Sequence, residues 1–242
     1  TLPQSPMVSV EDWESIKRYY LANAPDTINT GRKDITDQLK HFQVEAYPLQ
    51  TTPFITFIKS DTSSRKIFVG TRLSKLYRLN ENLVPEDSFM LPSPPSHILI
   101  SSPQEVMVSL MGIMDPNDQA KGQISRLGIQ NHTLSTSIDS LKRPVYFELA
   151  DLDRDGLDDI IVCAFGNYSG ALVAYRSKGN GQFEKHILQP LPGARKVVVQ
   201  DFDNNGTVDI LALMSQGDEK IILLLNQGNF KFRLNTILSF PP

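Results

Sequence analysis

FELADLDRDGLDDIIVCAFGNYSGALVAYRSKGNGQFEKHIL, residues 147–188, is echoed downstream by VVVQDFDNNGTVDILALMSQGDEKIILLLNQGNFKFRLNTIL, residues 197–238. Asp151 recurs as Asp201, 50 residues on, and Asp159 recurs as Asp209. After a small length difference in the intervening loop, Gly181-Gln182-Phe183 is matched to Gly228-Asn229-Phe230. Each copy reads strand, acidic loop, strand, turn, strand, Gly-rich turn, strand. That is one four-stranded unit the size of a propeller blade. A lone blade exposes its apolar faces, so its neighbours must pack side by side around an axis to cover them.

Working outward, the stretch from Thr52 to the first repeat consists of short β-rich runs broken by turn residues. Ile55–Ile58, Lys66–Val69 and Leu76–Leu79 form one group; His97–Ile100, Val106–Leu110 and Gln123–Leu127 form the next. Leu91-Pro-Ser-Pro-Pro-Ser96 separates them. The groups, roughly 52–90 and 96–138, have the length of blades without an acidic loop. The expectation is an all-β propeller segment over 51–242 with about four blade units, its clearest repeats at about 140–190 and 191–240. Four is the low end of propeller sizes, and no closing blade follows at Pro241-Pro242. A segment of a larger ring is therefore expected. Helical periodicity occurs once. Ser9 followed by Asp12 predicts an N-cap, Trp13, Ile16, Tyr19 and Tyr20 share one face, and Pro25 limits the helix to about 10–22. Residues 1–50 thus read as a helix and a linker, the stripe packing the helix against the propeller or an upstream domain.

Composition excludes several classes. The formal net charge of −3 and the lack of a Lys/Arg run argue against nucleic acid or an anionic membrane surface as partner. No apolar run reaches the roughly 20 residues of a membrane span. Residues 1–10 lack the layout of a signal peptide, so for an exported parent the signal would lie upstream of Thr1. The single cysteine, Cys163, sits in the apolar run Ile160–Ala164 and reads as a small core residue. The histidines His41, His97, His132 and His186 have no ligand spacing. No G-x-S-x-G elbow appears, and Lys178-Gly-Asn-Gly181 lacks both the Lys-Ser/Thr and the helix of a P-loop, so it reads as a hairpin turn. Asn131, Asn167 and Asn205 head glycosylation sequons, the last inside an acidic loop. Asp218-Glu219 reads as a solvated turn.

The two acidic loops carry the chemistry. Asp151-Leu-Asp153-Arg-Asp155-Gly-Leu157-Asp-Asp159 and Asp201-Phe-Asp203-Asn-Asn205-Gly-Thr207-Val-Asp209 both follow D-x-D-x-[DN]-G-x-x-D. Oxygen side chains at positions 1, 3 and 5 converge when the backbone wraps a cation. Gly156 or Gly206 permits the sharp turn, the next residue (Leu157 or Thr207) offers its carbonyl, and the final Asp closes the cage. Such a set suits Ca2+, which takes 6–8 hard oxygens with loose angular demands; the small octahedral shell of magnesium suits it less. An EF-hand begins alike but closes with Glu at position 12 and runs into a helix. Here Asp closes at position 9 and a strand follows. Four carboxylates in the first loop against three in the second rank the Asp151 loop as the tighter site. The ion's expected role is structural, stapling each loop.

On these residues the chain resembles the FG-GAP/VCBS repeat family, seven-bladed calcium-binding propellers that include integrin α-subunit heads. Phe165-Gly166 followed by Gly170-Ala171 is similar to a worn FG…GA element of that family. Asp12-Trp-Glu-Ser-Ile-Lys-Arg-Tyr-Tyr-Leu-Ala-Asn-Ala-Pro25 is similar to the segment joining a c-type cytochrome domain to VCBS repeats in some exported bacterial proteins. Leu110–Met114 and Met214–Glu219 are similar to parts of their propellers. Lacking CxxCH, this chain holds no haem of its own. The resemblance implies an exported, periplasmic or cell-surface location and a non-catalytic binding or scaffold module. A protein or carbohydrate would dock on a propeller loop face. The alternative it implies is the accessory propeller of a redox or polysaccharide-degrading enzyme; no set of catalytic residues is legible.

Overall fold

The computed structural model describes residues 9–24, 54–217 and 219–240. Pro25, His41, the connection expected over 26–50, Thr52, Asp218 and Pro241-Pro242 lie outside the described residues. The chain divides into two units, Thr1–Ala46 and Tyr47–Pro242. In the first, α1 (Val10–Asn23) begins as its sequence predicts. Ser9 Oγ accepts from the Asp12 amide at 3.0 Å and donates to Asp12 Oδ2 at 2.7 Å, closing a reciprocal cap. On this helix, taken by itself, Trp13, Ile16, Tyr19 and Tyr20 are exposed.

The second unit is all β. Its strands form four separate antiparallel sheets, each of four strands in sequence order. The first blade holds β1 (Ile55–Asp61), β2 (Lys66–Thr71), β3 (Lys75–Leu79) and β4 (Pro85–Met90). The second holds β5 (Pro95–Ser102), β6 (Glu105–Leu110), β7 (Gly122–Gly128) and β8 (Leu134–Leu141). The third holds β9 (Pro144–Ala150), β10 (Asp159–Ala164), β11 (Ala171–Ser177) and β12 (Phe183–Gln189). The fourth holds β13 (Ala194–Gln200), β14 (Asp209–Met214), β15 (Lys220–Asn226) and β16 (Phe232–Ser239). The opening strands β1, β5, β9 and β13 neighbour one another from blade to blade, which places them innermost.

Position within the blade explains the sequence of each strand. β10, Asp159-Ile-Ile-Val-Cys-Ala164, is buried at every residue because both of its faces lie between blades. A short continuous apolar run is the signature of such a strand. The last strands lie on the rim; β16 has no fully buried residue. β4 and β8 were missed in the sequence for this reason. Polar residues dominate Pro85-Glu-Asp-Ser-Phe-Met90, and an edge strand tolerates its leading proline.

Three apolar layers glue the blades together. Phe68, Leu76 and Phe89 meet Ile98 and Val106 between the first and second blades. Met107 and Ile124 meet Phe147, Ile160 and Val162 between the second and third. Ile161, Cys163 and Leu172 meet Ile210, Ala212 and Met214 between the third and fourth. On the far face of the fourth blade, Val198 and Leu213 are exposed.

One alignment from the sequence is corrected by the backbone. In the third blade the β11–β12 turn closes with Lys178 N donating to Gln182 O and Gln182 N to Gly179 O. In the fourth, Gln227 N donates to Lys231 O and Lys231 N to Gly228 O. Hydrogen bonding therefore equates Gly179 with Gly228, Gly181 with Phe230 and Phe183 with Phe232. The G-x-F match of Gly181–Phe183 to Gly228–Phe230 is two residues out of phase. Lys178–Gly181 is the hairpin turn expected of it.

Candidate metal-binding loops

The acidic loops span the β9–β10 and β13–β14 hairpins, between pairs Ala150–Asp159 and Gln200–Asp209. A strand follows each, as predicted, and no EF-hand geometry is present. Each hairpin wraps its own carboxylates in the same way. Asp151 accepts from the amides of Asp155 (3.1 Å) and Gly156 (2.9 Å); Asp201 accepts from those of Asn205 (3.1 Å) and Gly206 (2.7 Å). Left-handed backbone at positions 4 and 6 makes the wrap possible: Arg154 and Asn204 have φ of 62° and 57°, Gly156 and Gly206 of 84° and 81°.

The closing aspartates are wholly buried. Asp159 accepts from the amides of Leu152 (2.9 Å) and Ser177 (2.8 Å), and Asp209 from those of Phe202 (2.9 Å) and Asn226 (2.7 Å). Each therefore ties its loop to the third strand of its blade. Burial raises the Asp159 carboxyl above its ordinary range. The two amide hydrogen bonds oppose this, and the nearby Asp153 and Asp155 charges add to it.

Of the predicted aspartate ligands, the structure brings three together in each loop. Carboxylate oxygens of Asp151, Asp153 and Asp159 lie within 4.8 Å of one another, as do those of Asp201, Asp203 and Asp209. Oxygens sharing one calcium at 2.3–2.6 Å stand at most about 5 Å apart, so both triads fit that ion as they stand. Asp155 is not in its triad; its Oδ1 turns back to accept from Leu157 N at 2.9 Å. Asn205 Oδ1 likewise accepts from Thr207 N at 2.7 Å and from the Thr207 hydroxyl. Leu157 and Thr207 thus meet these side chains through their amides.

Two contacts were not legible in the motif. Arg176 of β11 pairs through Nη2 with Asp153 Oδ2 and lies 3.9 Å from Asp155 Oδ2. Asn226 of β15, 2% exposed, donates through Nδ2 to Leu152 O (2.7 Å) and Val208 O (3.0 Å), linking the two loops. Asn226 stands where the third blade has Ser177, since each amide caps the closing aspartate of its own blade. The strand register alone reveals that match.

Residues 151–212, from the first loop through the second into β14, match the model of the FG-GAP-like repeat family. That stretch carries FG-GAP-like repeats. Among solved structures it is similar to one described as the structure of the Dos1 propeller, at a TM-score of 0.52 and 10% identity. That match covers 76% of this chain and 48% of the other, so the chain spans about half the length of that propeller. A likeness at this identity speaks for the propeller fold alone. No curated protein matches the sequence.

Proposed function

We propose that these FG-GAP/VCBS-type blades form a non-catalytic, calcium-stabilised binding or scaffold module of an exported or cell-surface protein. The carrying observation is the duplicated triad. Two hairpins 50 residues apart hold three converging carboxylates each, on the same amide scaffold. Turn chemistry explains Asp, Asn and Gly in one hairpin. It does not explain a fully buried Asp159 and Asp209 aimed back into both.

In this reading Asp151, Asp153 and Asp159 hold one ion, with Asp155 and the Leu157 carbonyl available to complete its shell. Asp201, Asp203, Asp209, Asn205 and the Thr207 carbonyl hold the second. Calcium supplies positive charge that relieves repulsion among the carboxylates. The residues themselves anchor each hairpin to the strands behind it. A protein or carbohydrate partner would dock on the loops at one end of the blades, where function on rigid scaffolds resides. Among the described residues no helix is long and apolar enough to cross a membrane.

An ion that binds only the folded chain adds RT ln(1 + [Ca]/Kd) to stability, about 2.7 kcal/mol at a hundredfold excess over Kd. Thermal melts in calcium and in chelator test this. The expected outcome is a lower Tm in chelator, with the difference shrinking in Asp151→Ala and in Asp201→Ala. Coincident melts of the unsubstituted chain with and without chelator would refute calcium dependence.

A further inference from the structure

The two loops are alike in backbone and unlike in their surroundings. The register of the hairpins equates Ser177 with Asn226, and therefore Arg176 with Leu225. At this matched position the first loop has a cation and the second an apolar side chain. The Arg176 guanidinium reaches into that loop between Asp153 and Asp155. The Asp153 side chain is 7% exposed; its Oδ1 accepts from Asp155 N at 3.3 Å, while its buried Oδ2 takes no directed hydrogen bond and is met by the ion pair. Arg176 Nε is buried and unpartnered as well, which leaves the guanidinium oriented toward the carboxylates and not toward a competing acceptor. In the second loop Asp203 is exposed to solvent. Arg154 extends over Gly206 but makes no ion pair with the second loop's carboxylates among the described residues.

A second observation shows how Arg176 is held. The guanidinium carbon lies 5.6 Å from the centre of the Phe230 ring, and His186 stacks against the same ring at 4.5 Å. Phe230 belongs to the β15–β16 turn of the fourth blade, at the place where the third blade has Gly181. It keeps that glycine's left-handed backbone, with φ of 55° against 74°. A bulky residue in this region is strained. The strained position delivers an aromatic face to an arginine of the adjacent blade, a favoured stacking partner for a planar cation.

Resting on the calcium reading above, we infer that Arg176, seated on Phe230, is an internal cation that competes with calcium for the first loop. The second loop is then the stronger calcium site. Counting carboxylates ranks the loops the other way, because the count omits a charge that arrives from another strand. To enter the first loop, calcium must displace a charge-assisted pair with a largely buried aspartate; in the second, among the described residues, no ion pair holds the carboxylates. The first loop therefore fills only at high calcium, while the second stays loaded.

Isothermal titration of the whole chain with calcium chloride tests the ranking. Asp151→Ala, which disables the first loop, is expected to keep the tight step; Asp201→Ala is expected to abolish it and leave a weak one. In the Asp201→Ala background, Arg176→Leu copies the second loop's Leu225 and should tighten the weak step roughly tenfold or more. Phe230→Gly keeps the arginine, removes its seat and relieves the left-handed strain. It should tighten the weak step in the same direction, and it serves if the leucine variant does not fold. Loss of the tight step in Asp151→Ala, or a first-loop affinity unmoved by both Arg176→Leu and Phe230→Gly, overturns the inference and leaves calcium binding standing. Absence of calcium binding in every variant and in the unsubstituted chain overturns both.

Discussion

At the scale of single residues, spacing along the chain reveals the ligands but not their neighbours. Asp151, Asp153 and Asp159 are legible because one hairpin must bring them together. Arg176 is not, since strand pairing alone carries it to the loop. His97 shows the same limit. In the sequence it is one scattered histidine; in the fold its ring lies 4.2 Å from Tyr146 and 5.5 Å from Phe147, with Nε2 buried and unpartnered. Burial first, then the charges of Lys59, Lys196 and Arg195, push its pKa down to about 4. The unfolded chain takes up a proton near pH 6.5, whereas the folded chain resists until about 4. This contribution to stability is complete above pH 6.5 and is lost as the pH falls toward 4, by up to about 3 kcal/mol. Urea denaturation at pH 7 and pH 4.5 should show that loss in the unsubstituted chain and a smaller one in His97→Phe.

At the scale of elements, the joints between blades were less legible than the blades. β2, β6, β10 and β14 announce themselves as apolar runs, whereas rim strands such as β4 carry too few buried residues to show a pattern. The Gly-rich turns misled by their composition: Gly181–Phe183 and Gly228–Phe230 look alike, yet hydrogen bonding sets them two residues apart. Side chains also tie blade to blade. Ser96 and Ser109 of the second blade both donate to Pro144 O of the third, at 2.8 and 3.1 Å. Gly193 joins the third and fourth blades through its backbone. Its amide donates to Phe165 O at 2.9 Å, and its carbonyl accepts from Ser215 N at 2.8 Å. With φ of 90°, a Cβ there would lie 2.5 Å from Gln216 Cβ and 2.7 Å from Gln216 N. Gly193→Ala is expected to cost about 2 to 4 kcal/mol, read as a lower urea midpoint with folded-state strand content retained.

At the scale of the whole molecule, the three layers between blades decide whether the unit opens. Cys163 measures this for the layer between the third and fourth blades. It is 0% exposed, and burial pushes its thiol up to about 12. A thiol reagent at pH 8 should therefore leave the native chain unlabelled while labelling the urea-unfolded chain at once. Calcium should slow the native reaction and chelator should speed it, because Asn226 and Leu152 link the two loops across this same layer. A labelling rate indifferent to calcium would mean that the loops do not control this opening. The sequence by itself determined the blade period, the all-β class and the carboxylates of each loop, since these depend on residues near one another along the chain. Only the tertiary structure decided which three oxygens converge, the phase of the Gly-rich turns, and the charge that Arg176 brings to the first acidic loop. These depend on strand register and blade stacking, which set neighbours across the chain and leave no trace in local spacing.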